Sequence, residues 1–261
     1  MEQQPSTLDD QPAWVDIASP DPEATSEFYA QLLGWNVEVS PDPNYGGYAM
    51  AVDDGVGVAG IGPQPSPETP SAWQLYIGTS DVDALAAKVA TNGGTVAMAP
   101  FDVGDQGRMA VFQDPSGAFF SAWQALQMRG FVTDKPGAFS WAELNAHGIE
   151  KVLPFYQNVF GWTVRTTDRG PGQPPYNSFQ KNGRSILGAW EMSSTVPAEV
   201  PSYWQIYFEV PDLKAAFAQA LELGANEMVA PQDIPGGGRF AICLDPQGAT
   251  FGLLESPPSD G

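Results

Sequence analysis

The chain has 261 residues, 43% of them hydrophobic and 11% aromatic, which is enough to bury a full core and excludes wholesale disorder. Eleven Lys and Arg stand against 31 Asp and Glu, a net charge of −20, so counterion release from a phosphate backbone has almost nothing to work with and no nucleic-acid partner is expected. No apolar run reaches the roughly 18 residues of a membrane span, and the start MEQQPSTLDD carries neither the basic nor the apolar region of an export signal. A soluble, cytoplasmic protein without a membrane partner is the expectation. A single Cys and a single His rule out an internal disulfide and a Cys/His zinc site.

In chain order, the alternating segment Trp14 to Ala18 predicts a first strand, and Ser19-Pro20-Asp21-Pro22 is helix-start chemistry. The periodic set Ala24, Phe28, Leu32 and Leu33 then predicts a helix, stopped by Gly34. Short strands follow around 35–40, 46–52 and 56–62, separated by Pro, Gly and Asp turns. After a proline-rich loop from Gly62 to Pro70 the pattern starts again. It predicts a strand at 73–79, a helix over about 81–92 ended by Gly93-Gly94, and strands near 95–100, 107–113 and 118–124. Asp114-Pro115-Ser116-Gly117 is a hairpin turn, with Pro presetting φ at the second position.

The second half repeats the first at an offset of about 127 to 131 residues. Trp14-Val15-Asp16-Ile17 answers Trp141-Ala142-Glu143-Leu144, Phe28-Tyr29 answers Phe155-Tyr156, and Gly34-Trp35 answers Gly161-Trp162. Trp73-Gln74-Leu75-Tyr76 matches Trp204-Gln205-Ile206-Tyr207, Gly107-Arg108 matches Gly238-Arg239, and Asp114-Pro115-Ser116-Gly117 matches Asp245-Pro246-Gln247-Gly248. The expected class is therefore α+β: four βαβββ units in two tandem domains, 12–126 and 139–256, joined by a linker at 127–138.

This ordered set, found twice, resembles the vicinal oxygen chelate superfamily, which includes glyoxalase I, extradiol dioxygenases and bleomycin-resistance proteins. More narrowly, the chain is similar to two-domain actinobacterial members labelled hydroxylases, some of them associated with aromatic polyketide biosynthesis. The resemblance implies two glyoxalase-like domains related by a pseudo-twofold, so that a monomer imitates a dimer of single-domain relatives. It also implies a divalent metal in the catalytic members, held by His or Glu on the first and last strand of each unit. Here the first-strand positions fall on Trp14 and Trp141, the second pair on Gln74 and Gln205, and the last-strand positions on Ser121 and Gly252. Strands 56–62 and 184–190 hold no Asp, Glu or His, and Glu191 is the one acid nearby. No metal and no other cofactor is expected.

Strand alternation sends Val15 and Ile17 to the helices and Trp14, Asp16 and Ala18 to the concave face. The resemblance pairs the first unit of one half with the second unit of the other. One pocket is then expected from Trp14, Asp16, Gln205, Tyr207 and Leu254, the other from Trp141, Glu143, Gln74, Tyr76, Ser121 and Trp123. Aromatic walls with one carboxylate and one amide suit a flat apolar ligand carrying hydrogen-bonding groups or a cation. Each element also has a bland explanation. The tryptophans fill the cup of a small sheet as core, Asp16 and Glu143 pair with Arg108 or Arg239, and Gln74 and Gln205 satisfy strand edges. His147 reads as a helix-start or surface residue and Cys243 as core.

Three readings stay open. The first is a metal-free protein that binds, sequesters or carries an aromatic, cationic natural product in antibiotic resistance or secondary metabolism. The second is an enzyme, either using Asp16 or Glu143 as a base or metal-dependent in the manner of glyoxalases and dioxygenases. The third is an interaction protein whose pockets are filled.

Overall fold

A computed structural model of the chain describes residues 9–170, 174–193 and 195–257. The first βαβββ module comprises β1 (Pro12–Ser19), α1 (Pro22–Leu33), β2 (Asn36–Val39), β3 (Ala49–Asp53) and β4 (Val56–Pro63). The second comprises β5 (Ala72–Gly78), α2 (Val82–Thr91), β6 (Thr95–Val103), β7 (Gly107–Gln113) and β8 (Phe119–Ala125). The third comprises β9 (Phe139–Ala146), α3 (Ile149–Phe160), β10 (Thr163–Thr167), β11 (Tyr176–Lys181) and β12 (Arg184–Glu191). The fourth comprises β13 (Tyr203–Glu209), α4 (Leu213–Glu222), β14 (Asn226–Asp233), β15 (Arg239–Leu244) and β16 (Thr250–Glu255). A 3₁₀ turn at Pro43–Tyr45, absent from the sequence-based expectation, interrupts the connection between β2 and β3. The strands form two eight-stranded sheets in the orders β2-β3-β4-β1-β5-β8-β7-β6 and β10-β11-β12-β9-β13-β16-β15-β14, the mixed sheets of an α+β fold.

Helix ends follow the local chemistry. Asp21 caps α1 by accepting the Ala24 N–H at 3.0 Å, and Gly34 closes it at φ +74°, a conformation that costs a side-chain-bearing residue more than glycine. Asp81 and Asp212 cap α2 and α4 in the same way, and the starts of α2, α3 and α4 also receive an acceptor from the end of their own module's last strand. Gln124 Oε1 accepts the Val82 N–H at 2.9 Å, Glu255 Oε2 accepts that of Leu213 at 2.7 Å, and Glu191 accepts those of Gly148 and Ile149 at 2.9 and 2.7 Å. Orphan N–H groups at a helix start attract such acceptors, carboxylates above all.

Contacts divide the chain into two compact units, and each draws modules from both halves of the sequence. One takes the chain up to Trp14, Leu75–Gly130 and Ala142–Trp204; the other takes Val15–Gln74, Phe131–Trp141 and Gln205–Gly261. In the first unit Tyr156 of α3 lies among Phe120, Phe155, Phe179, Trp162 and Trp204, every ring centroid within 5.8 Å of its own. Its buried phenol donates to Asp114 Oδ2 at 2.8 Å and accepts from the Trp204 indole at 3.1 Å. The second unit repeats the device. Tyr29 of α1 packs on Trp35, Trp73 and Phe251, donates to Asp245 Oδ2 at 2.9 Å and accepts from the Trp73 indole at 2.9 Å.

Both aspartates sit in the hairpin turns recognised in the sequence and use the other oxygen to hold the turn. Asp114 Oδ1 accepts the Ser116 and Ala118 N–H groups at 2.7 and 3.1 Å, and Asp245 Oδ1 those of Gln247 and Ala249 at 2.9 Å each. A helix of one half is thereby fastened to a hairpin of the other. Burial pushes the Asp245 carboxyl above the ordinary carboxylate range, against the pull of those donors.

Candidate functional site

In the unit built on α3, β12 runs parallel to β9 with Glu143 opposite Gly188 and Asn145 opposite Trp190. β11 completes the face, with Ser178 opposite Gly188. Leu144, Phe179 and Ala189 are buried on the helix side, so alternation leaves Glu143, Tyr176, Ser178 and Trp190 together on the other face. Tyr203 belongs to the same unit. Its phenol is raised above the ordinary value by burial and then by the charge of Glu143. Tyr176 packs against Trp190 with centroids 6.1 Å apart, and the Arg169 guanidinium lies over the indole, 4.6 Å from its centroid. Of this group the sequence singled out only Glu143. Trp190 and Tyr176 carry no motif, and only the β-register shows that they share its face.

In the other unit, β13 and β16 carry a second group. Phe208 packs against Trp73 and so faces the helices, which turns Gln205 and Tyr207 to the opposite face. Tyr207 lies flat on Gly252, where an added Cβ would stand 2.1 Å from its ring, and its centroid is 6.3 Å from that of Phe240. Leu254, opposite Phe240 in the register, is half-buried. Gln205 is fully buried: its Nε2 donates to the Ile206 carbonyl at 3.0 Å, while Oε1 has no hydrogen-bond partner among the described residues. An orphaned buried acceptor costs about 1–3 kcal/mol.

The remaining candidates are placed as follows by burial, register and hydrogen bonds. Asp16 accepts the Tyr48 phenol at 3.2 Å. Trp123 rests its ring on Gly107 and donates its indole N–H to the Met128 carbonyl at 3.1 Å. Ser121 is buried opposite Tyr76, which is itself buried; Trp14 is 3% exposed, and Gln74 and Trp141 are half-buried.

One expectation is corrected. Arg108 pairs with Asp83 and Asp102, and Arg239 with Asp233, so neither arginine is committed to Asp16 or Glu143. The strand order places Trp14, Asp16, Gln74, Tyr76, Ser121 and Trp123 in one sheet and Trp141, Glu143, Gln205, Tyr207 and Leu254 in the other. His147 precedes α3 with Nε2 3.2 Å from the Val200 carbonyl, and Cys243 is buried, its thiol pushed up to about 12 by burial and then by Glu227.

A metal centre does not fit this donor set. Among the described residues no group of three His, Cys, Asp or Glu stands together. Glu191, the acid nearest the expected positions, spends both oxygens on the α3 N-terminus. Trp and Gly offer no side-chain donor to a cation where His or Glu would be needed.

The model of the Glyoxalase/Bleomycin resistance protein/Dioxygenase superfamily matches residues 11–121 and 138–253. CFP32 of Mycobacterium tuberculosis (strain CDC 1551 / Oshkosh), which carries a glyoxylase name, is 39% identical over 252 residues, 95% of each chain. The anthracycline biosynthesis protein DauV of Streptomyces sp. (strain C5) is 38% identical over 259 residues, 94% of this chain and 92% of the relative. Among solved structures, the Mn(II)-bound glyoxalase from Novosphingobium aromaticivorans superposes with a TM-score of 0.66 at 18% identity, covering 94% of this chain and 82% of that one. The 2,2',3-trihydroxybiphenyl 1,2-dioxygenase from Sphingomonas wittichii strain RW1 gives 0.67 at 14% identity, covering 95% and 90%. At such identities the likeness is one of fold.

Proposed function

We propose, for a chain that belongs to the Glyoxalase/Bleomycin resistance protein/Dioxygenase superfamily and offers no donor set for its metal, that it binds a planar aromatic natural product bearing an amine. In this reading the chain sequesters or carries that molecule within secondary metabolism. The observation that carries the reading is Gln205, whose fully buried Oε1 has no hydrogen-bond partner among the described residues. Folding tolerates such an atom at a cost, and a ligand N–H or O–H offsets it. Tyr207 beside it supplies an aromatic surface; in the other unit, taken by itself, Glu143 shares a face with Tyr176 and Trp190 and supplies negative charge there. A carboxylate against aromatic walls favours a cationic group and penalises its neutral analogue. The relatives named for anthracycline biosynthesis support a polycyclic aromatic ligand class.

The test is a titration of tryptophan fluorescence with an amino-sugar-bearing anthracycline and its N-acetyl derivative, on protein whose metal content has been measured. Saturable quenching by the amine, weaker for the acetylated form and independent of metal, is expected. Stoichiometric Zn, Fe, Mn or Ni in chelator-free preparations would defeat the reading. A second reading, proton-transfer catalysis, draws on the Tyr48–Asp16 hydrogen bond, which pairs a donor with a base. Turnover of a bound aromatic ligand that Asp16→Asn abolishes would favour it.

A further inference from the structure

The third module carries at β12 a tryptophan that the first module lacks. Asp16 lies opposite Gly60, as Glu143 lies opposite Gly188, so two residues further along each strand Gly62 corresponds to Trp190. Met50 opposite Gly60 and Ser178 opposite Gly188 likewise make Tyr48 the counterpart of Tyr176.

The same tyrosine behaves differently in the two settings. Over the bare backbone of Gly60 and Gly62, Tyr48 lies down across the neighbouring strand β4. A Cβ at Gly60 would stand 1.7 Å from the phenol oxygen, and one at Gly62 would stand 3.1 Å from the ring. From there the phenol reaches Asp16 Oδ2 at 3.2 Å, so the ring occupies the face of β4 beside that carboxylate. In the third module an indole occupies the place that Gly62 leaves open. Tyr176 stands against it, and its exposed neighbour in the β10–β11 connection, Arg169, lays a planar cation on the indole at 4.6 Å from the centroid.

We infer that the Trp190 face is a subsite for a planar cation, such as an aromatic amine or amidinium, and that Arg169 is its internal placeholder, displaced when the ligand stacks. The counterpart in the first module is closed by Tyr48 and takes no ligand, so the chain binds one planar cation rather than two. This rests on the proposed binding of an aromatic amine and names, within the unit built on α3, a face that takes a planar cation. An exposed cation–π contact is weak enough to exchange, and removing Arg169 removes both a competitor and a like charge.

The experiment is a titration of the full chain with 9-aminoacridine, a planar cation at neutral pH, with acridone as the neutral comparison. Fluorescence gives affinity and calorimetry gives stoichiometry. The wild-type chain binds one equivalent and prefers the cation. Arg169→Ala, on an exposed loop that bears little on folding, tightens binding about two- to fivefold. Trp190→Leu, checked for native circular dichroism, weakens it at least about tenfold. Two equivalents per chain, or affinities that neither Arg169→Ala nor Trp190→Leu moves, overturn the subsite and leave the general binding reading standing. Failure of the wild-type chain to bind either this probe or the amino-sugar anthracycline overturns both.

Discussion

Gln205 is the one fully buried amide in the core with an oxygen left without a hydrogen bond among the described residues, so stability and ligand binding should respond to it in opposite directions. Gln205→Leu removes the unsatisfied acceptor and keeps most of the volume. We expect unfolding by urea to show a gain of about 1 kcal/mol, while affinity for the amine ligand falls. A loss of both would make Gln205 an ordinary core residue. The sequence placed this residue, with Tyr207 and Glu143, on the concave face by alternation alone. It could not show the cation–π contact at Trp190, because β11 and its flanking connections lie between Arg169 and Trp190, and no local pattern couples them. Nor could it show that Tyr48 reaches Asp16, a consequence of the missing side chains at Gly60 and Gly62.

Among the elements, the helix–hairpin clasps govern stability. Tyr156→Phe strands both the Trp204 indole N–H and Asp114 Oδ2, and should cost about 1–3 kcal/mol by chemical denaturation. The pH dependence has a definite sign. Asp245 holds its proton to higher pH in the folded chain than its ordinary value of 3.8, so its contribution is fully present below about pH 4 and declines as pH rises through the raised native value. The difference in unfolding free energy between the wild type and Asp245→Asn should therefore shift in favour of the variant as pH rises from about 4 toward neutrality. A difference that is flat, or shifts the other way, would contradict the assignment. The elements themselves were legible, since capping aspartates, closing glycines and strand alternation are local signals. The caps from Gln124, Glu191 and Glu255 were not, because each joins residues about forty positions apart.

For the whole molecule, the repeat made four modules plain, and contacts show how they share a core. Each compact unit draws on both halves, and α1 buries Phe28 and Tyr29 against Phe251 of the last module. Expressed separately, residues 12–126 and 139–256 should expose these aromatic faces, aggregating alone and recovering native circular dichroism only when produced together. Independent folding of either half would refute the shared core. The net charge of −20 acts at the same scale, attracting a cationic ligand more strongly when salt is low. The most direct test of the account is one titration: protein treated with chelator, then challenged with an amino-sugar-bearing anthracycline and its N-acetyl derivative at low and physiological ionic strength. The account predicts saturable quenching without metal, stronger for the amine and weaker as salt rises. Equal affinity for both compounds, or binding that returns only when a divalent metal is added, would contradict it.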